Sequence, residues 1–310
     1  LVSAPELEAT LDGVQGNYRY FANVCGVAYG TKFSDGAPLI DTPSVQFFVS
    51  EKRPEQELAK SLPKFVYGRS QTGVIDRAVR IPTDVIELRN LEMCCFAGNE
   101  VARVGGSTGS VALMFENKTA DRKQFVVTCA HVAGDLEHVS SDAEIRGGQP
   151  IPGGCLFRAH VVASTLANNG QLEYDVAIGE VFSASEFFDL GLANSSVTLT
   201  QFGTDSDQER DSTLEFRSSV SADRTADITS STTSIRRIQT PEGNHVTVHN
   251  LIACKGKAVR GDSGGIAFVE DRAVGMLVAR ADDDWVFIHP LRDALEHLAA
   301  EHDLSIECFE

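Results

Sequence analysis

The chain has 310 residues, 42% of them hydrophobic, and a formal net charge of -17. That length accommodates two domains, or one large β domain with an appendage, and the apolar content supports a core without metal or disulfide staples. The charge argues against non-specific nucleic-acid binding and docking on anionic membranes, and nowhere do about eighteen apolar residues run together as a membrane span requires.

In chain order, residues 1–100 read as a small mixed α/β domain. PELEATL (5–11) has a short helical pattern, SVQFFVSE (44–51) reads as a buried strand, PEQELAKSL (54–62) as a helix with Pro near its start, and PTDVIEL (82–88) as a further strand. Near Gly105 the character changes to short apolar runs broken by Gly, Asn, Asp and Ser. The strand candidates are SVALMF (110–115), QFVVTCAH (124–131), DVAIGEVF (175–182), VTLTQF (197–202), HVTVHNLIAC (245–254), GIAFVE (265–270), AVGMLVA (273–279) and WVFIHPL (285–291). Many short strands with turn signals between them predict an all-β sandwich or barrel over 101–310. The Ser-, Thr- and Asp-rich stretch 204–234 is expected to form long mobile loops, although LEFRSSV also allows extended ribbons. LRDALEHLAAEH (291–302) closes the chain with apolar positions at helical spacing.

The seven cysteines (Cys25, Cys94, Cys95, Cys129, Cys155, Cys254 and Cys308) are odd in number and irregular in spacing, with two adjacent. They form neither a disulfide framework nor a C-x-x-C zinc pattern, so reduced thiols and a cytoplasmic location are expected, with no metal and no cofactor. LVSAPELEAT shows no signal-peptide pattern.

The chemistry concentrates in Gly261-Asp262-Ser263-Gly264-Gly265. Glycines around a serine let the backbone turn sharply and aim its N–H groups outward. Upstream, a strand-like run ends in Thr128-Cys129-Ala130-His131, and Tyr174-Asp175-Val176 lies between the two. Serine is a weak nucleophile until a base takes its proton; an imidazole has a suitable pKa, and a carboxylate can hold that ring in one tautomer. Each of these residues alone has a bland reading as a turn, a packed histidine or a cap. Together and in this order they point to catalysis.

Order and motif resemble the trypsin- and chymotrypsin-like serine proteases. The resemblance implies a chymotrypsin-like double β-barrel, with His131, Asp175 and Ser263 as the triad and the Gly261 and Ser263 N–H groups as the oxyanion hole. IPTDVIEL, GSTGS, the histidine loop, GDSGG and the late IHPL together resemble one branch, the proteases related to the plant narrow-leaf protein, which implies an intracellular enzyme. Val132 stands where secreted trypsins commonly carry a disulfide cysteine. Arg103-Val104-Gly105-Gly106 is similar to a trypsinogen activation site, but its short spacing to the first strand favours a plain Gly turn.

By the same resemblance, the base of the specificity pocket falls on Lys257, with Arg280 on a wall and Arg260 beside the oxyanion loop. Three cations there would favour an acidic residue before the cut. The expected function is therefore a serine endopeptidase acting on a protein or peptide, with residues 1–100 offering a surface to a regulatory partner. The alternatives are a catalytically silent peptide-recognition module and an esterase using the same triad. His245 and His249 do not form a metal pair, because HVTVH alternates like a strand and sets them roughly 13 Å apart. The sequons at Asn117 and Asn194 carry no meaning in a cytoplasmic protein.

Overall fold

The computed structural model describes residues 4–18, 21, 23–57, 61–93, 101–103, 109–116, 123–134, 136, 143–147, 157–184, 199–209, 212–218, 224–230, 233–282 and 284–306. Helix α1 (Ala4–Tyr18) precedes a four-stranded sheet of β1 (Val24–Ser34), β2 (Ala37–Val49), β3 (Phe65–Arg69) and β4 (Ile75–Glu87), ordered β1-β2-β4-β3. Two of these strands, β1 and β3, escape the sequence reading. The β1–β2 hairpin turns at Asp35-Gly36, both at positive φ (53° and 80°), as a two-residue turn between twisted strands demands. The helix expected over 54–62 is reduced, among its described residues, to one 3-10 turn at Glu55–Glu57. Pro63 restricts Leu62 to extended backbone, which ends any helix before it.

Beyond β5 (Glu92–Met93), the first large sheet uses β6 (Val101–Arg103), β7 (Leu113–Glu116), β8 (Gln124–Thr128), β9 (Glu144–Gly147), β10 (Phe157–Ser164) and β12 (Ala177–Ala184), in the order β6-β9-β10-β12-β8-β7. The short helix α2 (Ala130–Ala133) follows β8. Strand β11 (Gln171–Leu172) belongs to the second sheet, as do β13 (Gln201–Phe202), β14 (Thr213–Arg217), β15 (Arg224–Ile228), β16 (Thr233–Gln239), β17 (His245–Gly256), β18 (Ile266–Val269), β19 (Arg272–Ala281) and β20 (Trp285–Pro290). Six of them close a ring by antiparallel pairing: β14 to β15, β15 to β17, β17 to β20, β20 to β19, β19 to β18, and β18 back to β14. A closed ring leaves no free sheet edge within it. Its interior is one apolar cluster including Leu214, Phe216, Ile228, Ile252, Cys254, Leu277, Val286 and Ile288. Helix α3 (Leu291–His302) follows and buries Leu291, Ala294, Leu295 and Leu298.

The mobile loops expected within 204–234 are replaced, at the described positions, by β14, β15 and the start of β16. Leu214, Phe216, Ala226 and Ile228 point into the barrel at every second position, while Thr and charged residues alternate outward. Two apolar residues per strand are enough for a hairpin when a barrel wall already waits on the other side.

The N-terminal sheet packs on this second barrel. Phe33 and Phe48 meet Trp285 edge-on, each at 5.7 Å between ring centroids, and Thr233 Oγ1 donates to the Val27 carbonyl at 2.7 Å. The protein is thus a chymotrypsin-like double β-barrel with a C-terminal helix behind a small α/β unit. Strand β5 lies before residue 100 yet pairs with β19.

Candidate active site

Strand β8 ends at Thr128, and the turn of α2 carries His131 away from the first barrel with its ring buried. Asp175 sits just before β12, and the β8–β12 pairing sets it opposite the start of α2. Its carboxylate binds His131 twice: Oδ1 accepts the His131 backbone N–H at 3.1 Å, and Oδ2 takes the Nδ1 side of the ring in a short hydrogen bond. Burial alone would raise the Asp175 carboxyl, but His131, through its charge when protonated and its ring and backbone hydrogen bonds, holds it below the ordinary carboxylate range. That leaves Nε2 free to accept, and Ser263 Oγ stands 2.9 Å from it. The serine oxygen is also 2.9 Å from the Val278 carbonyl, so its single proton has two acceptors.

The serine loop is fixed from both barrels. Gly261 and Gly264 have φ of 99° and 84°. Ser110, from the first barrel, donates its N–H to the Ser263 carbonyl at 2.6 Å and its hydroxyl to the Gly261 carbonyl at 2.8 Å. Thr128 Oγ1 in turn donates to the Ser110 carbonyl at 2.6 Å. A Cβ on Gly264 would lie 2.1 Å from the Ser110 oxygen, so glycine is required there for space as well as for φ. The Gly264 and Gly265 N–H groups are spent inward, on Leu277 and Asp262. Among the described residues no acceptor takes the N–H of Gly261 or Ser263, the pair expected to bind an oxyanion. Asp262 is engaged by the Ser218 hydroxyl, by the Val259 N–H at 2.7 Å and by Arg224 at 3.9 Å. The Asp262 carboxylate is thus already occupied within the chain; residues 104–106 of the Arg103–Gly106 turn expectation lie outside the described residues.

His289, in β20, is the functional residue the sequence reading passes over. Its Nε2 accepts the Asp175 N–H at 2.9 Å, and its Nδ1 side faces the Asn250 carbonyl at 3.2 Å, which assigns a neutral ring with the proton on Nδ1. Burial pushes this imidazole down to about 4. A histidine inside the wholly buried strand WVFIHP was the available signal, since a buried polar ring must find partners.

The expected specificity cations come together differently from the expectation. Arg260 holds Glu92 through Nε and a terminal nitrogen (3.2 and 2.6 Å), and Arg280 holds the same carboxylate at 3.1 and 2.6 Å. Burial raises the Glu92 carboxyl, and the bonds and charges of the two arginines outweigh it and leave it below its ordinary value. Lys257 is exposed, and its carbonyl accepts from Arg224 at 3.1 Å. The three cations therefore do not line one open pocket.

Donor atoms of Cys129, His131 and Asp175 lie within 4.8 Å of one another, the spacing of a metal site. They are engaged otherwise: the Cys129 thiol donates to the Leu277 carbonyl at 3.1 Å, and the His131–Asp175 pair is closed on itself. His249 uses both ring nitrogens, on Ser234 at 2.8 Å and Gln171 at 3.0 Å, which accords with the strand reading of HVTVH.

Fold and site together define a chymotrypsin-like double-barrel protein with a histidine and an aspartate from one barrel facing a serine of the other. No family model and no curated protein matches the chain. Among solved structures it is similar to Thermobifida fusca protease A (16% identity, 64% of this chain and 93% of that one, TM-score 0.44). A Nocardiopsis protease gives 19%, 64%, 95% and 0.41, and Cellulomonas bogoriensis chymotrypsin 16%, 68%, 97% and 0.38.

Proposed function

We propose that the chain is a serine endopeptidase in which Ser263 attacks the scissile carbonyl, His131 takes the serine proton and later delivers it to the leaving amine, and Asp175 stabilises the imidazolium. The single observation that carries this is the continuous relay from Asp175 through His131 to Ser263, with 2.9 Å between Nε2 and Oγ. A tetrahedral intermediate would place its oxyanion against the Gly261 and Ser263 N–H groups. The Val278 carbonyl competes for the serine proton at rest, so attack requires the hydroxyl to turn to His131.

The narrower likeness to the intracellular narrow-leaf branch rests on sequence motifs. An intracellular, reducing location is proposed with it, and the three described cysteines, Cys25, Cys129 and Cys254, are free thiols. The expected acidic preference is narrowed to Arg260 and Arg280, which already meet a carboxylate within the chain, that of Glu92.

The test compares the chain with Ser263→Ala and His131→Ala by fluorophosphonate labelling and by digestion of a peptide library. Turnover should fall about 10⁴-fold or more in either variant. Peptide cleavage by Ser263→Ala near the parent rate would refute the mechanism. Labelling with ester but no peptide turnover would select the esterase, and neither labelling nor turnover the silent recognition module.

A further inference from the structure

Strand β19 carries Val278, whose carbonyl holds the Ser263 hydroxyl. One edge of β19 at this level is closed by β20, which pairs Ala279 with Phe287 and Arg280 with Val286. A peptide that reaches the serine by adding a strand to β19 must therefore use the other edge. That edge is already taken. Strand β5 pairs antiparallel with it, Met93 opposite Ala279 and Glu92 opposite Arg280, so Met93 lies beside the residue next to Val278. The contact continues upstream: the Asp282 N–H donates to the Arg89 carbonyl at 2.9 Å, and Asn90 Nδ2 donates to the Asp282 carboxylate at 2.7 Å. On its far side the segment meets β16, where the Gln239 N–H donates to the Leu91 carbonyl at 3.1 Å.

We propose that residues 89–93 are a built-in occupant of the peptide-binding edge beside Ser263, and that the ligand this edge takes in their place is an extended peptide with a carboxylate at the position of Glu92. The side chain supplies the selectivity. Glu92 is the one acid in the segment, and two guanidinium groups from different parts of the chain, Arg260 before the serine loop and Arg280 on β19, converge on its two oxygens. Charge-assisted, forked contacts of this kind read a carboxylate and reject its neutral isostere. The occupant is tethered to β4 through Leu88, so it competes with a free peptide at high effective concentration. This proposal rests on the reading of Ser263 as a nucleophile only for its consequence, that cleavage waits on the strand's departure. Occupancy itself can be measured without turnover.

The experiment uses the full chain carrying Ser263→Ala and a fluorescent peptide of residues 87–93, ELRNLEM, followed by anisotropy. The parent should bind it weakly. Glu92→Gln, which loosens the occupant, should bind it about tenfold or more tighter, and a peptide with Gln in place of that Glu should lose about tenfold against the same variant. Asn90→Ala, an exposed change that removes the Asp282 contact, serves as a second loosening variant and should shift affinity in the same direction; circular dichroism verifies the fold of each. Unchanged affinity in both variants, or equal binding of the Glu and Gln peptides, overturns the proposal. The peptidase reading fails separately: Glu92→Gln with Ser263 intact would then bind the peptide yet neither cleave it nor react with a fluorophosphonate.

Discussion

Replacing His289 by Gln should remove a specific part of the protein's acid sensitivity. In the folded chain this imidazole is neutral because it is fully buried and its Nε2 must accept the Asp175 N–H. Its pKa falls from 6.5 to about 4. The unfolded chain therefore binds the proton at higher pH than the folded one, and linkage makes stability fall as pH drops from 6.5 through 4. The full difference corresponds to about 3 kcal/mol, of which about 2 kcal/mol is already lost at pH 5. Gln offers a carbonyl to the Asp175 N–H but does not titrate. Urea unfolding of both proteins at pH 7 and pH 5 should show the parent losing about 2 kcal/mol more than His289→Gln, since all other titrations are shared. His289→Phe should instead cost about 1–3 kcal/mol at pH 7, by stranding the Asp175 N–H. Parallel losses in parent and His289→Gln between the two pH values would refute the assigned ring state.

Gly264→Ala should destabilise by more than about 2 kcal/mol, because the new Cβ would be strained at positive φ and lie 2.1 Å from the Ser110 oxygen; unchanged denaturant unfolding would contradict this. Asp207 is held down to about 2, first by its two hydrogen bonds from Arg272, both 2.9 Å. It therefore contributes stability above its ordinary 3.8 that is lost as pH falls towards 2, and Asp207→Asn should flatten the acid limb of the unfolding curve there. Burial pushes the Cys25 and Cys254 thiols up, so both should resist a thiol reagent until the chain unfolds, and melting should be the same with and without reductant. A clear fall in melting temperature on adding reductant would reveal a disulfide outside the described residues.

Strand runs with local alternation were legible in the sequence, as were the C-terminal helix and the ordered trio His131, Asp175 and Ser263, because each announces itself within a few residues. An apolar run next to a histidine, or a serine among glycines, restricts its own backbone whatever it later packs against. Strands β14 and β15 were not legible: Leu214, Phe216, Ala226 and Ile228 are too sparse to mark strands until a barrel interior receives them. Nor was the tertiary address of the charged residues. The family resemblance could place Arg260 and Arg280 near the serine loop, but their partner Glu92 lies 168 and 188 residues away and reaches them only because β5 adds to β19. His289 likewise meets Asp175 across 114 residues. By itself the sequence determined which side chains could do the chemistry. Only the tertiary pairing of strands decided which charge each one faces, because that depends on contact between segments whose mutual register no local pattern encodes.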